Sequence, residues 1–226
     1  MKILVIVIPC ITIIACSSSI ETKKINKTYT VQPGAEEGKD AEIWNLAPYT
    51  SYSNYSGYCD TTNFGNKPYF RAASWTYFGE KAIHRSYIQF NIQAIPSKSI
   101  IDSAFLYLYS DTSTGQFQSG ENDLYIKPVL EFWNESKLTW YNQPEVLDDT
   151  SKYKFVYVPK SKSESQDYKI EITSLLKYWI EDQNKNYGMQ ISLADENLYS
   201  RAFFASSDNS KVVLRPKLEV YYNYEK

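Results

Sequence analysis

The chain has 226 residues, a formal net charge of −2, and 21 tyrosines against one histidine and three cysteines. That length carries one all-β domain with a substantial core, and that charge gives no electrostatic footprint for nucleic acid. The cysteines form no CxxC pair and, with a single histidine, no zinc-ligand constellation.

The chain opens MKILVIVIPCITIIACSSS. Lys2 precedes an apolar run over residues 3–14. That run is shorter than the roughly 20 residues a spanning helix needs, so it reads as an export signal. Ile13-Ile14-Ala15-Cys16 resembles a bacterial lipobox. The resemblance implies that residues 1–15 are removed and that Cys16 carries lipid. Acyl chains hold a protein to a bilayer because each buried CH₂ contributes about 0.8 kcal/mol. Cys10, behind Pro9, leaves with the leader, and Cys59 is then left alone, so no intrachain disulfide is expected. Residues 16–27 read as a flexible tether. Ser17 replaces the Asp that holds some lipoproteins at the inner membrane, so the expected location is the outer membrane, with the domain exported.

Residues 28–226 read as one domain. Tyr49, Tyr52, Tyr55 and Tyr58 recur at intervals of three, and Phe64, Tyr69, Phe70, Trp75, Tyr77 and Phe78 follow, with Lys67, Arg71 and Lys81 among them. Residues 49–85 are thus expected to be a long insertion, and long loops are usually functional. Tyrosine supplies large contact area at low entropy cost, so Tyr52, Tyr55, Tyr58, Trp75 and Tyr77 are candidate platforms for sugar rings. Arg71 and Lys67 are candidate partners for uronic-acid carboxylates. The alternative is that these aromatics pin the loop to the domain or form strands.

Beyond it, apolar residues alternate over 86–92, with Ile88, Phe90 and Ile92 inward, and over 100–109, with Ala104, Leu106 and Leu108 inward. Residues 124–130, 155–158, 168–172, 188–193, 202–206 and 217–222 continue the series of short strands, the last with Leu218, Val220 and Tyr222 on one side. Many short strands separated by turns predict an all-β antiparallel sandwich. One segment differs. Ile172, Leu175, Leu176, Trp179 and Ile180 have helical spacing, which predicts one short helix near residues 173–182, capped by Thr173 or Ser174 and closing an end of the sandwich.

Five stretches carry a resemblance: VQPGAEEGKDAEIW, SYIQFNIQAIPSKSIIDSAFLYLYS, FWNESKLTWYNQP, EITSLLKYWIEDQNKNYGMQISL and ASSDNSKVVLRPKLEVYY. Trp133, Glu135, Trp140 and Asn142, followed by Gln143-Pro144, form the most specific string. In this order they resemble the DNRLRE (disaggregatase-related) domain, grouped as carbohydrate-binding module family 96. The resemblance implies a secreted, jelly-roll-like sandwich whose partner is a polysaccharide, acidic in some members. Trp133, Glu135, Trp140, Asn142 and Arg215 are expected to be structural, with Arg215 partly buried near Asp208 and held by a carboxylate or by loop carbonyls, and Glu135, between two tryptophans, likewise a partly buried charge that persists because it is paired.

The sequence offers residues for two further chemistries. Asp40, Asn54, Asp60 and Asp208 are candidate oxygen donors to calcium, although each also suits a turn. The acidic pairs Asp148-Asp149, Glu181-Asp182 and Asp195-Glu196 are adjacent in sequence. A glycosidase instead needs two carboxylates facing across a cleft about 5 to 9.5 Å wide. His84 has no nucleophile motif beside it. The expectation is therefore a monomeric, non-catalytic, lipid-anchored polysaccharide-binding protein. An envelope adhesion module that binds another protein, and a polysaccharide lyase or hydrolase, remain the alternatives.

Overall fold

The computed structural model describes residues 23–46, 58–77, 79–148 and 155–225. Eleven strands are laid down in chain order among these residues. They are β1 (Lys24–Val31), β2 (Asp40–Leu46), β3 (Tyr69–Tyr77), β4 (Glu80–Ile88), β5 (Ile100–Leu108), β6 (Leu124–Pro128), β7 (Val156–Val158), β8 (Tyr168–Glu171), β9 (Met189–Leu193), β10 (Ser200–Ala205) and β11 (Lys217–Glu225). Two helices join them, the single turn α1 (Tyr58–Thr61) and α2 (Thr173–Glu181). One sheet has the order β1-β11-β5-β8. The other runs β10-β3-β4-β9-β6-β7, with β2 on β4, and the pairings within both sheets are antiparallel. The domain is an all-β antiparallel sandwich.

The alternating segments bury the expected faces. Ala104, Leu106 and Leu108 of β5 and Leu218, Val220 and Tyr222 of β11 enter one core cluster with Phe70, Ala72, Ala202 and Phe204 from the facing sheet. Helix α2 adds Leu175, Leu176, Trp179 and Ile180 to the same cluster, beside Ile92 and Ile95. Its N-cap is Ile172, with no side-chain cap, rather than Thr173 or Ser174. The Thr173 hydroxyl accepts the Ala104 N–H instead, which ties the helix to β5.

Two expectations about organisation are corrected. Residues 49–85 are not one excursion, because residues 69–77 and 80–88 form a hairpin inside the larger sheet. Strand β1 also begins at Lys24, pairing with Glu225, so residues 24–27 belong to a sheet and not to the tether.

A second cluster covers the other side of the large sheet. Ala41, Ile43 and Tyr87 meet Val129, Trp133 and Leu138, with Trp140 and Tyr187 at the margin. Trp133 Nε1 donates to the Tyr187 carbonyl at 2.8 Å. Asn142 shapes this segment, accepting from the Thr139 amide and donating to the Lys137 carbonyl.

Among the described residues Trp179 is the largest fully buried side chain, at 2% exposure. Trp179→Ala is expected to lower unfolding free energy by about 3–5 kcal/mol, read from denaturant midpoints. A loss below about 1 kcal/mol would mean that the helix is not part of the core.

Candidate functional site

Strand β4 changes partners along its length. Residues near Ala82 and His84 pair with β3, whereas Ser86 and Ile88 pair with β9. Where β3 leaves, the Arg71 carbonyl loses its ladder position, and the Ser86 hydroxyl donates to it at 2.7 Å. Cross-strand partners share a face, and residues two apart in a strand do likewise. Ala73 opposes His84 and Arg201, and His84 opposes Trp44. That register gathers Arg71, Trp75 and Tyr77 of β3, Arg201 of β10, His84 of β4 and Glu42 and Trp44 of β2 on one face, while Phe70 and Ala72 point into the core.

Glu42 is the hub of this face and is fully buried. Arg71 Nε donates to both of its carboxylate oxygens at 3.1 Å, His84 Nδ1 lies 3.1 Å from Oε1, and Trp44 Nε1 donates to the same oxygen. Burial alone would raise the Glu42 pKa, but Arg71 and His84 outweigh it and hold the group below the ordinary carboxylate range. An ionised carboxylate only accepts, so the His84 proton sits on Nδ1. Burial, reinforced by the nearby Arg71 charge, lowers the His84 pKa to about 4 against the opposing pull of Glu42. At neutral pH the ring is uncharged, and its buried Nε2 has no partner among the described residues.

Around this hub lies a pocket of about 210 Å³ lined by Arg71, Ala73, Trp75, Tyr77, His84 and Arg201, with Thr76 and Gln116 completing it. Ala73 leaves the floor open. Arg201 donates to the Phe117 carbonyl at 2.8 Å and to Gln116 Oε1 at 2.7 Å, and its guanidinium lies 5.1 Å from the Trp75 ring. Tyr199 meets Trp75 edge-on at 5.3 Å. On the other flank Trp44 stacks on Phe64 at 4.9 Å and lies 5.3 Å from Tyr77. The Lys67 ammonium caps Phe64 at 4.0 Å and Trp44 at 4.5 Å. A wider groove of about 440 Å³ runs between β7 and β8, where Tyr157 and Tyr168 accompany Lys160, Lys162 and Lys169, but no tryptophan or arginine lines it.

Of the residues expected to contact sugar, Trp75, Tyr77 and Arg71 meet at this pocket, and Lys67 lies on the adjoining rings. Tyr52 and Tyr55 lie outside the described residues. Tyr58 is in α1, which sits beside β2. Glu42, Trp44, His84, Gln116, Tyr199 and Arg201 are additional members. The odd-numbered alternation Tyr69, Arg71, Trp75, Tyr77 was the available signal for part of this face.

The expected calcium donors are redistributed. Asp40 and Asp208 do come together, and Glu135 completes their group. Asp60 is elsewhere, its carboxylate accepting the Leu46 N–H at 2.9 Å to end β2. Asn54 lies outside the described residues, as does Cys16. Glu135 is half-buried and accepts the Asp40 amide rather than pairing with a cation. Arg215 donates from Nε to the Asn209 carbonyl at 2.9 Å. The acidic pair at 195–196 is not simply solvated, because Glu196 pairs with Arg85 at 2.9 Å.

A sandwich that presents indole and phenol rings beside guanidinium groups around a small pocket has the build of a carbohydrate-binding module. The chain belongs to carbohydrate-binding module family 96, whose family model matches residues 54–222. Strands β1 and β2, and with them Glu42 and Trp44, precede the matched span. No curated protein matches the chain.

His84 is the only histidine, so long-range ¹H–¹⁵N spectra report it without assignment. The unfolded value is near 6.5 and the folded value about 4. The stability contributed by the neutral ring is therefore present above about 6.5 and lost as pH falls toward 4. The spectra are expected to show the Nδ1–H tautomer with a midpoint near 4. A midpoint at or above the ordinary value would mean that the Glu42 hub is not closed.

Proposed function

We propose that the face centred on the 210 Å³ pocket binds an acidic polysaccharide, without cleaving it. Family membership supports a carbohydrate ligand. The observation that carries the acidic reading is Arg201. It lines the pocket with Arg71, which Glu42 already neutralises, and no ion pair of the described residues supplies Arg201 with a carboxylate. Burial lowers its pKa, and the nearby Arg71 charge adds to this against Tyr77. A uronate carboxylate suits a planar guanidinium, which can donate two parallel hydrogen bonds. Trp75, Tyr199 and Tyr77 offer ring faces and edges to the sugar on either side.

One observation favours a second reading, that of a lyase. A neutral imidazole, a phenol and guanidinium groups are the kinds of group that abstract a proton beside a carboxylate and neutralise that carboxylate. Against it, His84 Nε2 has almost no accessible surface, so a substrate proton would not reach it without rearrangement.

The full chain is to be titrated calorimetrically against a polyuronate and a neutral glucan at low and high salt. The polyuronate is expected to bind, more weakly at high salt. Arg201→Ala is expected to weaken it about 10- to 100-fold, and Trp75→Ala also to weaken it. Absence of binding to either polymer would favour an adhesion role with a protein partner. Release of unsaturated sugar, followed by ultraviolet absorbance, would favour the lyase.

We further propose that Cys16 carries lipid and holds the exported domain at the outer membrane. The apolar run over residues 3–14, the Ile-Ile-Ala-Cys string and Ser17, Ser18 and Ser19 after it support this. Cells making the full chain and fed an alkynyl fatty acid are expected to label it, and Cys16→Ser to abolish the label. Labelling that survives the substitution would refute the anchor.

A further inference from the structure

We propose that the end of the sandwich at which β1 begins lies on an anionic phospholipid surface through Lys98, Ile100 and Lys177, an inference that rests on the reading of Cys16 as the lipid-bearing residue. Strand register brings the parts of this end together. Lys24 opens β1 opposite Glu225 of β11, Asn26 opposes Asn223, and Asn223 in turn opposes Ile100, which opens β5. The last turn of α2 joins them, because Lys177, Ile180 and Glu181 line a hollow of about 300 Å³ with Lys98, Ile100 and Ile101.

Ile100 is 60% exposed. An aliphatic side chain left in water forgoes the gain that burial brings, and the boundary between lipid headgroups and acyl chains supplies it. Lys98 and Lys177 are exposed and join no ion pair of the described residues, and the same holds for Lys23, Lys24 and Lys27 along the start of β1. At the opposite end of this sheet, by contrast, Lys217 pairs with Glu219 and, just beyond, Lys211 pairs with Asp111. Asp102, Glu181 and Glu225 oppose the five lysines near β1, but Asp102 already accepts from the Asn223 side chain at 3.0 and 3.1 Å. The balance at this end is positive.

Two observations select a bilayer as the occupant. The first is chain length. From Cys16 to Lys24 the backbone covers at most about 28 Å however it runs, so an acyl chain on Cys16 keeps this end of the domain, and not the far one, close to the headgroups. The second is the chemistry of the hollow. Lysines stand there with isoleucines, and no aromatic ring or arginine lines it. Ammonium groups on long stems reach lipid phosphates while an aliphatic neighbour enters the boundary, whereas a uronate chain calls for ring faces, which that hollow lacks. A basic patch is also the kind of second signal that strengthens an acyl anchor. Each lysine close to an anionic surface adds about a fivefold gain in binding.

The full chain, as purified from cells, is to be placed on vesicles of phosphatidylcholine, with and without phosphatidylglycerol, and its amide hydrogen exchange followed by mass spectrometry. An acyl chain or an uncleaved leader enters both kinds of vesicle, so the difference between them reads the patch. Residues 97–101 and 177–181 are expected to exchange at least about 5-fold more slowly when phosphatidylglycerol is present, and high salt to remove the difference. The double variant Lys98→Gln/Lys177→Gln is expected to abolish it and Ile100→Ser to lessen it, with the melting temperature and polyuronate binding of the double variant matching the wild type. Equal exchange on both vesicles, slowing that survives the double substitution, or a loss of polyuronate binding with it would overturn the proposal. Should the variant fail to fold, the wild-type comparison across vesicles and salt decides alone. Fatty-acid labelling separates the two readings. A labelled chain with equal exchange on both vesicles refutes the surface and keeps the anchor, and an unlabelled chain with lysine-dependent slowing refutes the anchor and keeps the surface.

Discussion

The Glu42 carboxylate, closed off from water, fixes the rest of the candidate face. A lone ionised carboxylate in that position would be far too costly to bury. It persists because Arg71, His84 and Trp44 all turn toward it from three strands. Removing one member of such a buried pair leaves an uncompensated charge and typically costs about 3–5 kcal/mol. Arg71 also stands where β3 parts from β4, its carbonyl taken by the Ser86 hydroxyl, so the residue that neutralises Glu42 lies at the fork in the sheet as well as in the pocket wall. The energetic stake holds Arg71 in place, and with it Tyr77, to whose hydroxyl Arg71 donates; groups held in advance bind with less ordering cost.

Much of the sandwich could be read in advance. Strands β5 and β11 alternate cleanly because one face meets the core and the other meets water, and α2 shows the spacing of a helix with one buried side. The hairpin of β3 and β4 was harder. Phe70 and Ala72 face the core while Arg71 and Ala73 are also buried on the opposite side, so the strand carries little contrast between faces. Tyrosines upstream and a scatter of charges made it look like a loop. Glu42 and His84 could not be paired from the chain alone, because their meeting depends on register across neighbouring strands. A solitary histidine reads as incidental until a buried acid is found beside its Nδ1.

The acidic residues divide for a similar reason. Asp40, Asp60, Asp148 and Asp208 have the same side chain and comparable turn-rich surroundings in the sequence. In the fold Asp60 ends a strand, Asp148 pairs with Lys127 and Asp40 is forced against Glu135 and Asp208. An aspartate serves equally as turn former, ion-pair partner or oxygen donor, and only three-dimensional proximity separates these uses. Glu135 was legible as part of a motif, while its neighbour across the fold was not. Strand β2 then links the two charged centres, carrying Asp40 at its start and Glu42 and Trp44 further along.

Tyr199 is the one non-glycine residue of the described set with a positive φ, at 66°. Its ring is more than half exposed and stands edge-on to Trp75. Left-handed backbone at a bulky residue is held at a cost of order 1–3 kcal/mol, and glycine would adopt it freely. A chain tuned for nothing but its own rigidity would carry the smaller residue there and leave that indole bare. Tyr199 therefore joins a costly backbone conformation to an exposed ring that stands against Trp75, a combination that a glycine at this position would forgo.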